Sequence, residues 1–243
     1  MCSCGSSLPF RLRTSMRISR MPQQYRPVKD QRYFTHNTRY NEIDWNDPIT
    51  AIKKFKEQLE GWYIGPIEPL IKASSHYGFA VVAMTCVLID TLAQYAAGAE
   101  ESSERDFKEF LKGSFPEFGK TFTTPIEYWF KGRKRFVENF ADAIYRAFRC
   151  GILHEAHVSL YGVVADHAGT IEYHPKGITR YVNGTDCPIV VINPKKFFHK
   201  IKDVFEDYFD KLNNPDSQWD DLRANFKRKF LVSYGIDIGN EPN

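Results

Sequence analysis

The sequence lacks the glycine-rich loops and nucleophile motifs of the common nucleotide-dependent enzymes and hydrolases. No Walker loop, no GxGxxG and no GxSxG is present, so P-loop, dinucleotide-fold and α/β-hydrolase chemistries have no anchor. Cysteine is scarce and odd in number: Cys2, Cys4, Cys86, Cys150 and Cys187. No CxxC exists, and the close pair Cys2 and Cys4 has no second pair to complete a zinc tetrahedron. Cys86 and Cys150 sit in apolar helical patterns. The five therefore read as reduced thiols in a cytoplasmic protein rather than a disulfide framework. Residues 1–20 hold no apolar run of secretory type. No repeat and no long low-complexity linker divides the chain.

Net charge is also slight, +3 over 243 residues. It is unevenly placed: residues 1–40 hold seven Arg and one Lys against Asp30, a local +7, leaving −4 for the rest. A basic, poorly ordered arm over residues 1–43 is expected ahead of a mildly acidic body. Met16 and Met21 both offer starts, and residues 1–20 read like upstream sequence carried in frame. Aromatic residues, by contrast, are plentiful. Nineteen Phe and 13 Tyr, with 42% hydrophobic residues overall, are enough for a ring-packed core.

Helical signals dominate the body. Asp47-Pro48 opens a helix over 48–60, and Pro66 and Pro69 restart a second short one. Residues 77–97 are apolar on nearly every face, as in the central helix of a bundle, and Gly98 ends them. This stretch has spanning length. Asp90 and Gln94 interrupt it, however, and a central Asp costs about 2.5–3.5 kcal/mol in a bilayer, so no membrane is expected. Ser103 with Asp106 opens a helix through Leu111. Apolar spacing from Val137 to Ile152 predicts a long helix over about 134–156. Three short strands, 170–174, 178–182 and 189–192, are predicted next, with turns at Pro175–Gly177 and Asn183-Gly184. Asn193-Pro194 caps a helix whose stripe runs from Phe197 to Leu212, and Ser217 with Asp220 opens the last, with Leu222, Phe226 and Phe230 inward. The expectation is one mainly α domain over 44–236, with a small β-hairpin or meander insertion (about 170–192) before the last two helices and a tail over 237–243.

One segment could carry chemistry. Arg146, Arg149, Cys150, His154 and Glu155 stand at the end of the predicted long helix. Histidine can move the proton of a ribose 2′-hydroxyl near neutral pH, and arginine can hold a phosphate by two parallel hydrogen bonds. Spacing alone does not select this pair, because an Arg followed by a His at this distance is expected about 1.3 times by chance. Five residues also rotate about 500° on an ideal helix, which leaves the two side chains about 140° apart. Convergence would need a long reach by the arginine, a helix relaxed at Gly151, or two chains. Asp90 must be paired if buried, and Arg149 is one candidate partner. Asp142 is the expected partner of Arg146. Lys131, Arg133, Lys134 and Arg135 form a basic cluster, read either as a solvated helix start or as a surface for RNA phosphates. His154 and His157 could share a helix face for zinc, with Asp166, His167 and His174 downstream. No third ligand is clearly placed, and neither a metal nor another cofactor is expected.

The string Phe148 to Ala156, FRCGILHEA, resembles the Rx4–6H signature of the HEPN superfamily. It is most similar to the FRCG-x-x-H form of a branch associated with plasmids and phage defence. The helix carrying Ile89-Asp90-Thr91-Leu92 ahead of the string, and the β insertion and amphipathic helix after it, are also similar to that branch. The resemblance implies an all-α bundle that dimerises with the Arg and His near the two-fold axis. It further implies a metal-independent endoribonuclease, often a toxin or abortive-infection effector, with an antitoxin or defence-system partner. Arg149 would bind phosphate and His154 would act as acid or base. Asp90, Cys150 and Glu155 would support them, and Arg133, Lys134, Arg135 and Arg146 would hold RNA. Many active members carry a polar residue directly after the Arg, where this chain has Cys150. The alternative is a non-catalytic dimeric module of the same fold that binds RNA, a nucleotide or a protein partner.

Overall fold

A computed structural model describes residues 30–130, 132–159, 161–177, 181–182 and 185–239. Helix α1 (Pro48–Leu59) starts as its sequence dictates. The Asp47 carboxylate accepts from the Ile49 and Thr50 amides, and Pro48 fills the first turn, where no donor is needed. The chain does not restart at the prolines. It passes through a π-wound turn (Glu60–Ile64) directly into α2 (Gly65–Ala73). Helix α3 (Gly78–Ala97) is the hub, packed by α2, α4 (Glu104–Ser114), α7 (Pro194–Asn213) and α8 (Asp220–Tyr234). Val82, Leu88, Ile89 and Leu92 are buried along one half of its circumference, where the other helices pack. It is one helix among the described residues with the length and hydropathy to cross a membrane, and half of it is covered by protein.

Gly98 ends α3 in the left-handed region (φ 60°), where a Cβ would be strained. The orphan carbonyls there are taken by α8: Asn225 donates to Ala96, and Arg228 to Ala97 and Gly98. The stripe of α7 is core, with Phe197, Phe198, Ile201, Phe205, Tyr208, Phe209 and Leu212 all buried. Ser103 and Asn193 cap α4 and α7 as expected, accepting from Asp106 and Lys196. Ahead of α8 the capping residue is Asp216, which accepts from Gln218, not Ser217. Two thirds of the expected arm lies outside the described residues. The rest is packed: Phe34 is buried among the rings of Tyr40, Trp45, Phe230 and Tyr234, and its carbonyl accepts from buried Gln58. Apolar contact thus extends the packed body to at least Phe34.

The predicted helix over 134–156 needs correction. Residues 126–137 form a hairpin, β1 (Ile126–Phe130) against β2 (Arg133–Val137), with Gly132 (φ 71°) supplying the turn. β1 carries the consecutive aromatics Tyr128, Trp129 and Phe130, and buried Ile126 and Val137 anchor the base of the hairpin. The helix begins only at α5 (Phe140–Ala143), where Asn139 caps by accepting from Asp142. It then winds as a π-helix over Ile144–Cys150 and finishes as α6 (Gly151–Glu155). The β insertion is also no meander. Its main sheet runs β3 (Gly162–Val164), β7 (Ile189–Ile192), β4 (Ile171–His174), with β3 parallel to β7 and β4 antiparallel to it. β3 starts ahead of the predicted insertion, because a short buried edge of three residues gives little periodic signal. Tyr181–Val182 (β5) pairs with Thr185–Asp186 (β6), and the Asn183-Gly184 turn lies outside the described residues. The described residues are mainly α, about 61% helical with a small sheet.

Candidate active site

Arg149 and His154 meet. The Arg149 Nη1 lies 2.8 Å from the His154 Nε2, and Nη2 donates to the Asp90 carboxylate at 3.0 Å. Of the routes open on the sequence, one chain suffices. Arg149 stands at the end of the π-wound turn and His154 within α6, and the long arginine side chain reaches across the angle between them. A guanidinium can only donate, so the neutral imidazole accepts through Nε2 and carries its proton on Nδ1. The other Asp90 oxygen accepts from Ser102 at 2.5 Å, a partner no motif reveals. Asp90 thus holds Arg149 between α3 and α6.

The Arg149–Asp90 pair is largely shielded, each side chain keeping 14% of its exposure. Burial opposes the Arg149 charge, but the hydrogen bond and charge of Asp90 outweigh it and hold the guanidinium above its ordinary value. The guanidinium also lies over the Tyr145 ring at 5.5 Å. Burial raises the Tyr145 phenol, with Cys150 beside it adding to the rise and Arg149 opposing it. His154 is exposed at the mouth of this arrangement. Helix α6 stops two residues later, where Ala156 adopts φ 55° and its amide bonds back to Gly151. A loop then folds over the helix so closely that a Cβ on Gly151 would lie 2.6 Å from the His157 carbonyl oxygen.

The remaining predicted residues distribute as follows. Glu155 faces His157 at 3.3 Å and takes no part in the Arg149 cluster. His157 is occupied by that contact and by its Nδ1, which lies 3.0 Å from the Val158 carbonyl oxygen. Among the described residues no group of three or more His, Cys, Asp or Glu side chains could hold a metal ion. Arg146 pairs with Glu104 of α4, not with Asp142, which instead receives Lys108 at 2.7 Å. The reason is tertiary: α4 lies against the π-wound helix and brings a second acid within reach. Arg133, Lys134 and Arg135 stand exposed on β2 rather than at a helix start, and Lys131 lies outside the described residues. A cleft of about 360 Å³ opens between β2 and this helix, lined by Lys134, Arg135, Phe136, Tyr128, Arg146 and the acids around them. Arg146, like Arg149, lies 5.5 Å from the Tyr145 ring, so a single side chain separates the cleft from the Arg149 cluster.

Against protein-family models, curated proteins and solved structures, the chain finds no match in any of the three comparisons.

Proposed function

We propose that the chain is a metal-independent endoribonuclease of HEPN type, acting as a cytoplasmic homodimer. The observation that carries this reading is the contact of exposed His154 with Arg149, which Asp90 holds in place. A substrate phosphate draws the Arg149 Nη1 away from His154 and takes its two-point hydrogen bonding. The His154 Nε2 lone pair is then free to accept the 2′-hydroxyl proton. The 2′ oxygen bonds to phosphorus, the bond to the 5′ oxygen breaks, and the 5′ oxygen takes up a proton. The products are a 2′,3′-cyclic phosphate and a 5′-hydroxyl. Arg149 offsets the charge that grows on the phosphate oxygens. Base and acid act on opposite sides of phosphorus, and one chain offers one histidine at Arg149. A second copy across a two-fold axis supplies the other.

The test is incubation of labelled single-stranded RNA with the full chain in a chelator, with the ends of the products identified. Arg149→Ala or His154→Ala should lower cleavage by about 10²-fold or more. Cleavage that survives both changes, or that requires magnesium, overturns the reading. A second reading is favoured by one observation: Arg149 spends both its Nη groups inside the chain. On that reading it is a clasp joining α3 to α6 in a non-catalytic module, and purified protein never cuts RNA.

A further inference from the structure

The β1–β2 hairpin exposes two large rings, one of which, Phe136, lies under the Lys134 ammonium at 5.5 Å. Trp129 keeps 69% of its surface, the largest fraction among the exposed large hydrophobic residues described, and Phe136 keeps 52%. The register pairs Trp129 with Lys134 and Glu127 with Phe136, so all four project from one face. Lys134 and Glu127 close one diagonal of that face as an ion pair at 2.6 Å. The rings are left at the ends of the other diagonal, one on each strand. Around them the chain is basic: Lys131, Arg133, Lys134 and Arg135 against Glu127 give +3 within twelve residues (126–137), on a body that is otherwise acidic. The same strand edge leads inward, since Lys134, Arg135 and Phe136 line the cleft that ends at Arg146.

Exposed aromatics interleaved with cations match a flexible polyanion with planar bases. A duplex hides its base faces, whereas a single strand presents them to any ring, in any sequence. A partner polypeptide would also cover the rings, but a +3 hairpin favours phosphate. We propose that this hairpin is a stacking platform for single-stranded RNA, with bases on Trp129 and Phe136 and the backbone passing over the β2 edge, its phosphates meeting Lys134 on the ring face and Arg133 and Arg135 on the other. The choice of RNA over DNA rests on the ribonuclease reading; the single-strandedness does not.

Binding is measured by fluorescence anisotropy on the full chain carrying His154→Ala, so that catalysis cannot interfere. The probes are a labelled twelve-nucleotide RNA and the same sequence as a duplex. The single strand should bind more tightly. Trp129→Ala should weaken it about 5- to 150-fold, and Phe136→Ala likewise, with unchanged melting temperatures because both rings face solvent. Arg133→Ala with Arg135→Ala should flatten the log–log salt slope by about 1.4. Tighter duplex binding, or indifference to both ring changes, overturns the platform and leaves the rings to a protein partner. Tight, ring-dependent binding without cleavage by the unmutated chain supports the platform and sinks the ribonuclease. Cleavage with no ring dependence does the reverse.

Discussion

Removing Asp90 tests whether the Arg149 cluster is held as described. The Asp90–Arg149 contact joins residues 59 apart in sequence at 3.0 Å, with 14% exposure on each side. Asp90→Ala leaves the guanidinium shielded and uncompensated, while Ser102, being exposed, turns to water. Breaking one side of a buried pair costs about 3–5 kcal/mol, and the residual exposure argues for the lower end, about 3 kcal/mol. For a chain of this size that is a fall in Tm of about 6–12 °C. Arg149→Ala should fall similarly, because it strands the carboxylate. The double variant should lose much less than the two losses added together, since it leaves no orphan charge. His154→Ala should change stability by less than about 1 kcal/mol, because its side chain is exposed and contributes one hydrogen bond. The assay is thermal unfolding of the four proteins by circular dichroism, combined as a double-mutant cycle. Single losses within 2 °C of zero, roughly the method's working error, or a double loss equal to the sum, would refute the pairing argument.

Two other changes probe the site and its support. Gly151→Ala places a Cβ 2.6 Å from the His157 carbonyl oxygen and 3.2 Å from the Ser159 nitrogen, both backbone atoms that cannot swing aside. It should cost about 1–3 kcal/mol and displace the loop over α6, read as a lowered Tm and faster amide exchange at residues 157–159; an unaltered Tm sinks the close-approach argument. Burial holds the Lys229 ammonium below its ordinary value, against the pull of Asp90 and Glu100. Between that lowered value and about 10.4 the unfolded chain binds more protons than the folded one, so this residue's contribution to stability rises with pH there and is flat below. Lys229→Met should lose that rise, seen as urea midpoints that shift in favour of the unmutated protein as pH climbs toward about 10; parallel midpoints would refute it.

The parts of the fold that were readable were local ones. Asp47, Ser103 and Asn193 cap because a short polar side chain ahead of an apolar period has one cheap use. The stripe of α7 was readable because twenty residues give the period room to declare itself. The hairpin was not, because Val137, Phe140, Ala141 and Ile144 fall at helical spacing although Val137 ends a strand. Gly132 at a positive φ was the available signal, two residues after a run of aromatic and β-branched residues. In the site, the chemistry of a shielded carboxylate named the kind of partner Asp90 requires, but only the packing of α3 on the π-wound helix selects Arg149. The contact of Arg149 with His154 across the junction of the π-wound turn and α6 has no residue code, since no single side chain announces where an i→i+5 turn ends. Ser102 could not be found at all: an exposed serine in a turn resembles any other.

The charges of the region separate affinity from chemistry. Arg149 is neutralised by Asp90, and Arg146 by Glu104, so the cations nearest the candidate site offer RNA little net attraction. Lys108 is likewise shared between Glu104 and Asp142. The uncommitted positive charge lies on the hairpin, where Arg133 and Arg135 stand exposed on the strand that carries Phe136, projecting from its other face. A strand attracted by bulk charge would therefore arrive at the hairpin and meet Arg149 only by exchanging partners with Asp90 and His154. Such an exchange trades two hydrogen bonds for two but leaves the shielded Asp90 carboxylate without its cation, so only a phosphate that grips both nitrogens offsets it. It is unfavourable for a phosphate that reaches only one nitrogen. The internal pairing that makes Arg149 resemble a structural clasp would then act as a filter on substrate geometry, and the hairpin would set how much substrate reaches it.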